Sequence, residues 1–232
     1  MGHHPAHYRG WIESYGFAPA KTLLTYDLPV DREFPPLIRR IVKSGERNER
    51  ISVRPVVKKR WDSEAAIILS ILNDAWSSNW GFVPFTPDEI AHAGKKLRPI
   101  IFEPLNMIAE LDGEPVAFML TFPDMNQVLA KINGKLFPFG WFHMLRWLRF
   151  PKGSGMRVPL MGVKKELHNS RMASQLAFMM IDQIRKNADQ LYESKRGEVG
   201  WILDDNQGMV AIADAIDSKI NREYIVFGKD MI

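Results

Sequence analysis

The chain has 232 residues, 46% hydrophobic and 25% charged, enough apolar content to bury a sizeable core. It has no cysteine, which excludes thiol nucleophiles, disulfides and thiolate metal sites. A formal net charge of +4, with Lys and Arg scattered rather than gathered in a tract, suits an anionic small molecule and gives no nucleic-acid footprint.

No apolar run reaches the ~18 residues needed to span a bilayer, and the N-terminus lacks the basic-then-apolar pattern of a signal peptide. The expected compartment is therefore the cytoplasm. Gly2-His3-His4 is too short for a purification tag and reads as native sequence.

In chain order, HYRGWIESYGFAPAKTLLTYDL reads as a short helix over 7–14, a turn at Tyr15-Gly16 and a strand over 21–28. One helix and one strand cannot enclose a core. The segment 1–28 must therefore pack on the rest of the chain or on a neighbouring copy, which leaves a homodimer open. Residues 29–50 form a basic connector, with Pro35-Pro36 placed to start a short helix through Val42.

A compact unit over 51–232 follows. ISVRPVV alternates like a strand, and DSEAAIILSILNDAW sets Ala65, Ile68, Leu69, Leu72 and Trp76 at helical spacing behind an Asp62 or Ser63 cap. TPDEIAHAGKKL combines a Thr86 cap, Pro87 at the first helical position and acids in the first turn. Two apolar strands between 105 and 122 flank Asp112-Gly113, a strong hairpin signal. An amphipathic helix pattern through Met125, Val128, Leu129, Ile132 and Leu136 leads into LFPFGWFHMLRWLRF. Then come a strand at 157–163, a helix at 171–187, a strand at 198–203, a helix at 207–217 and a last strand at 223–227.

LMGVKKELHNSRMASQLAFMMIDQI is similar to the central strand, pyrophosphate loop and following helix of the GCN5-related N-acetyltransferases (GNATs). VGWILDDNQGMVAIADAID is similar to that family's next strand and Asn-led helix. NDAWSSNWGFVPFT resembles a bacterial branch of GNAT-like proteins, some similar to bacterial ceramide synthases, in which two acyltransferase-like units stand in tandem. The resemblance covers about 51–232 and implies an α/β class fold (an α+β mixed sheet) with helices on both faces of a mostly antiparallel sheet. YRGWIESYGF resembles the last helix and turn of a first unit, so 1–28 reads as a remnant of one.

The resemblance implies transfer of an acyl group from acetyl-CoA or a longer acyl-CoA to a small-molecule or lipid-like amine. Its alternative is a catalytically lapsed ligand-binding or scaffold module. Physics supports an anion at this loop independently, because a helix start presents unpaired N–H groups and a partial positive charge. Met161, Gly162 and Val163 would offer peptide groups to the pantetheine arm as an added strand does.

The family pattern Arg/Gln-x-x-Gly-x-Gly/Ala maps onto His168, Arg171 and Ala173, with Asn169, Ser170 and Met172 between them. His168 stands where Arg or Gln is usual, and Arg171 replaces a glycine. With Lys164 and Lys165, Arg171 keeps the loop positive; it either pairs with phosphates or fills their space. The other reading is a ligand-free strand-loop-helix kept for structure.

Acyl transfer needs a deprotonated amine, a polarised carbonyl and a proton for the leaving thiolate. The family's tyrosine acid lies seven residues after its helix-opening Asn; counted from Asn206 this position is Ala213, and Tyr224 is too distant in sequence to replace it. Candidate bases are Asp204, Asp205 and Glu110. Adjacent strand residues face opposite ways, so at most one of the two aspartates enters a given cleft, and an Asp cap on the following helix is the structural alternative. Asn206 either bonds the pantetheine or caps its helix.

Asn73, Asp74, Asn79 and Trp80 are the candidate acceptor side, with Trp76 either beside them or a core anchor. His3, His4, His7, His92, His143 and His168 show no paired ligand spacing, so no metal is expected. Residues 136–150 are aromatic and basic, and read as a surface for peripheral membrane contact or as an acyl-pocket wall, or as a buried helix covering the sheet.

Overall fold

The computed structural model describes residues 4–230; Gly2 and His3 lie outside them. Seven strands form one sheet in the order β2-β3-β4-β5-β6-β1-β7. They are β1 (Ala18–Pro29), β2 (Ile51–Pro55), β3 (Met107–Leu111), β4 (Glu114–Pro123), β5 (Met156–Val163), β6 (Arg196–Leu203) and β7 (Lys219–Gly228). The helices are α1 (His7–Ser14), α2 (Pro36–Glu46), α3 (Trp61–Ala75), α4 (Pro87–Leu97), α5 (Asn126–Lys131), α6 (Gly140–Arg149), α7 (Arg171–Tyr192) and α8 (Gln207–Ala215).

Two cores hold the layers together. On one face, Leu176, Ala177, Met180 and Ile184 of α7 and Ile38 and Val42 of α2 pack on Met107, Ala109 and Met119. On the other, Trp61, Ile68 and Leu72 of α3 pack on Ile108, Phe118 and Leu120, with Ile90 and Leu97 of α4 beside them. A small third cluster joins Tyr26, Ile202 and Ala213 under α8. The mixed sheet with helices on both faces is the expected fold.

Local rules account for several element ends. Asp112 (φ 54°) and Gly113 (φ 84°) make the tight β3–β4 turn. Thr86 and Glu89 form a full capping box at the start of α4.

Elsewhere the structure corrects the reading. The α3 cap is neither Asp62 nor Ser63: a 3-10 turn over Lys58–Arg60 feeds the helix directly, so it begins at Trp61 with no side-chain cap. The helix expected through Leu136 stops at Lys131 because Asn133 (φ 50°) and Gly134 (φ 68°) turn the chain. Residues 136–150 do not form a buried covering helix; most of their large apolar side chains are exposed. The N-terminal strand runs longer than expected and lies between β6 and β7, antiparallel to both, so it completes this chain's own sheet.

Every neighbouring pair is antiparallel except β5 and β6, which α7 connects as a crossover. These two strands pair only at Met156–Gly197, Arg157–Glu198 and Val158–Val199. Beyond Val158 they separate, and the sheet opens into a wedge.

Candidate functional site

The wedge holds a cleft of about 680 Å³, walled by the ends of β5 and β6, the starts of α7 and α8, and the loop after α3. The Lys164 N–H donates to the Val116 carbonyl at 2.8 Å. With the β4–β5 register, this turns Gly162 and Lys164 toward β4 and leaves the peptide groups of Met161 and Val163 directed at the cleft. The Trp76 indole donates to the Met161 carbonyl at 3.0 Å, and His168 Nε2 donates to the Val163 carbonyl at 2.7 Å. One lone pair on each carbonyl is thereby occupied and the second remains. Gly162 is required by packing: a β-carbon there would lie 2.8 Å from Phe118 and 3.2 Å from Ala75.

The loop after β5 is pinned from α3. Asp74 Oδ2 accepts the Lys165 N–H at 2.6 Å, and Asn169 takes a left-handed φ of 59° to aim the chain into α7. Ser170 caps the helix, its Oγ accepting from the Ala173 N–H at 3.1 Å. The N–H groups of Arg171 and Met172 lie in the first helical turn, where no intrahelical acceptor exists. His168, Asn169, Ser170, Arg171 and Ala173 line the cleft, whereas the Met172 side chain packs toward the core.

Across the wedge, Asn206 caps α8 through Oδ1, accepting from Met209 N–H at 3.2 Å, and also borders the cleft. The cap is therefore asparagine and not the aspartate considered from sequence. Both helix starts face one cavity, which makes it a favourable place for an anion.

Of the three candidate carboxylates, only Asp205 borders the cleft, ion-paired to Lys21 of β1. Asp204 lies outside the lining, its N–H donating to the Thr22 carbonyl at 3.2 Å. Glu110 is bound elsewhere, to Arg54 Nε at 2.7 Å, and Arg54 also meets the 2% exposed Glu64 at 2.9 Å. Burial works against the Arg54 charge, but its bonds to Glu110 and Glu64 hold the guanidinium above its usual range.

Asn79 and Trp80 line the cleft; Asn73 and Asp74 do not. Asn73 exchanges two 2.9 Å bonds with the Phe85 backbone, closing the loop on which Asn79 and Trp80 sit. Trp76 combines both readings, anchored to β5 and bordering the cavity. Ala213 is buried against Tyr26 and Ile202, so no hydroxyl stands at that position. Burial, then Asp214, raises the Tyr26 phenol above its usual range. Tyr224 meets the edge of Trp201, ring centroids 5.8 Å apart.

Sequence reasoning missed Ser174, Met209 and Ile212 in the lining. Helical spacing carried them: Ser174 lies three residues beyond Arg171, and Met209 and Ile212 lie three and six beyond Asn206. Among the described residues no group of three His, Asp or Glu is placed to hold a metal ion.

No family model matches the chain. It is 34% identical over 229 residues to the bacterial ceramide synthase of Caulobacter vibrioides, covering 99% of this chain and 59% of that protein. It is 32% identical over 237 residues to Protein YghO of Escherichia coli, covering 100% of this chain and again 59% of the relative. The chain thus spans about three fifths of the length of these curated relatives. Among solved structures it is similar to a GCN5-related N-acetyltransferase from Sphaerobacter thermophilus, with TM-score 0.61 and 13% identity over 96% of this chain and 56% of that one. It is also similar to a tandem GNAT protein from the clavulanic acid biosynthesis pathway, with TM-score 0.55 and 11% identity over 98% and 59% of the two chains.

Proposed function

We propose that this chain, which has the fold of the GCN5-related N-acetyltransferases, binds an acyl-CoA in the β5–β6 wedge and passes the acyl group to an amine. The observation that carries the reading is the convergence of two helix starts and a strand edge on one cavity at the parallel splay. In this reading the Arg171 guanidinium, the first N–H groups of α7 and the neighbouring lysines hold the pyrophosphate. Met161 and Val163 accept and donate bonds to the amides of the pantetheine arm as a further strand would.

The amine attacks the thioester carbonyl, a C–N bond forms, the C–S bond breaks, and the CoA thiolate takes the proton that the amine loses. Asp205 is the carboxylate that stands at the cleft to take that proton from the amine and hand it on to the thiolate, with Lys21 holding one side of it. Asn79 and Trp80 border the acceptor. Because one relative is named a ceramide synthase, and a ceramide is an N-acylated long-chain amino alcohol, we take the acceptor to be a lipid-like amine. We also read residues 1–28 as the end of a first acyltransferase-like unit whose last strand, β1, enters this sheet between β6 and β7.

A second reading, a binding module without transferase activity, is favoured by one observation: the site of the family's tyrosine is a buried alanine. Calorimetric titration with acetyl-CoA and a long-chain acyl-CoA, followed by an assay for free CoA thiol with a long-chain amine, separates the two. Binding with thiol release supports the transferase, and binding without release supports the module. The absence of any binding overturns both.

A further inference from the structure

Between Met125 and Gly155 the sequence has five Lys or Arg and no Asp or Glu. This stretch forms α5, α6 and their connections, inserted between β4 and β5. One side of α6 is anchored. The Trp147 indole donates to Ser154 Oγ at 2.8 Å, and Trp147 and Leu148 border a groove of about 220 Å³ with Phe102 and Phe122.

The other side is open. Trp141, Phe142 and Leu145 are exposed on the helix, and the preceding segment adds Phe137 at 81% and Phe139 at 72% exposure. Lys131, Lys135, Arg146 and Arg149 of the same stretch are exposed too, and the Arg149 guanidinium lies over the Phe150 ring, 5.8 Å from its centroid. Lys152 is paired with Glu193, whereas no salt bridge to the other four occurs among the described residues.

We propose that this surface docks on an anionic phospholipid bilayer, the exposed rings entering the headgroup boundary and the four cations outside any salt bridge meeting lipid phosphates. A cluster of exposed aromatic side chains, unlike apolar residues scattered singly, marks an interaction face. A short amphipathic helix with aromatics and Leu on one side and cations around them fits an interface better than a protein partner, because its charge is all of one sign. Among the described residues no helix is long and apolar enough to cross a membrane, so α6 lies on the surface.

The insertion joins the Met156 end of β5, and the phosphate loop leaves its Val163 end, so the two are separated by the strand's length, about 25 Å. Bilayer binding itself does not depend on the acyltransferase reading.

The test is sedimentation of the full chain with vesicles of phosphatidylcholine alone and of a phosphatidylcholine–phosphatidylglycerol mixture. The protein is expected to pellet with the mixture and stay largely in solution with phosphatidylcholine. Arg146→Ala with Arg149→Ala should lower the partition coefficient about thirtyfold, at about 1 kcal/mol per surface charge. Phe142→Ser with Leu145→Ser should abolish pelleting. All four side chains are exposed, and an unchanged melting temperature would confirm that both variants fold. Failure of the parent to pellet with the mixture, or pelleting unaffected by both variants, overturns the proposal. So does a concentration-dependent dimer that Phe142→Ser with Leu145→Ser dissociates, because the patch is then a contact between copies.

Discussion

Replacing Gly162 with alanine separates a packing role from a ligand role at the centre of the candidate site. The added β-carbon would sit 2.8 Å from Phe118 Cε1 and 3.2 Å from the Ala75 β-carbon. Phe118 is fully buried and Ala75 nearly so, and neither is the far end of a flexible chain. Overpacking of this kind costs about 2 kcal/mol. For a chain of 232 residues that is a fall of about 4–8 °C in melting temperature. The assay is urea unfolding followed by circular dichroism on Gly162→Ala, Phe118→Leu and the double variant.

Removing part of the ring should relieve the contact, so the double variant is expected to be more stable than the sum of the singles by upwards of ~0.5 kcal/mol. The new methyl group points at α3, away from the edge formed by Met161 and Val163. Acyl-CoA affinity of the folded variant should therefore be little changed. Parent-like stability in Gly162→Ala, or strict additivity with Phe118→Leu, would refute the contact. A large loss of affinity at parent-like stability would show instead that Gly162 is there to let a ligand approach.

Arg171→Ala should weaken acyl-CoA binding at least tenfold if its guanidinium bonds the pyrophosphate, given about 1.5–3 kcal/mol for a bond to a charged group; tighter binding by Arg171→Gly would mark the side chain as an obstruction. Thr86→Ala should cost about 1 kcal/mol near neutral pH by removing the α4 cap, measured by urea unfolding. The pH dependence of that cost has a definite sign. The Thr86 N–H, and next its hydroxyl, hold the Glu89 carboxyl below its usual range. A lowered folded-state value gives stability that is present above the unfolded carboxylate's pKa and lost as pH falls through the folded one. Alanine keeps the N–H and loses only the hydroxyl's bond to the carboxylate, so the cost of Thr86→Ala should shrink in acid by that part alone, and a cost that grows on acidification would contradict the capping box.

What could be read from sequence was what local chemistry decides. The Thr86 capping box, the Asp112-Gly113 turn and the strand-loop-helix around Ser170 are each set by residues within a few positions of one another, and each appears where expected. The strand-loop-helix around Ser170 was legible, and the structure adds the parallel splay of β5 and β6 that opens the cleft beside it.

What was hidden depends on partners far along the chain. Asn73 and Asp74 have the composition of an acceptor site, yet their bonds go to Phe85 and Lys165, which no local pattern announces. Asp204 and Asp205 differ because Lys21, 184 residues away from Asp205 in sequence, reaches one of them. The aromatic run of 136–150 has helical spacing compatible with burial. Only the position of the insertion beyond the end of the β4–β5 pair leaves most of it without a surface to cover.

The most direct test is calorimetric titration of the full chain with acetyl-CoA, a long-chain acyl-CoA and free CoA, repeated with Arg171→Ala. Saturable binding of a CoA ester at one site per chain, weakened by Arg171→Ala, is the predicted result. No heat and no rise in melting temperature with any of the three at concentrations where ligand stabilisation should be evident would contradict the proposal that the β5–β6 wedge is an acyl-CoA site.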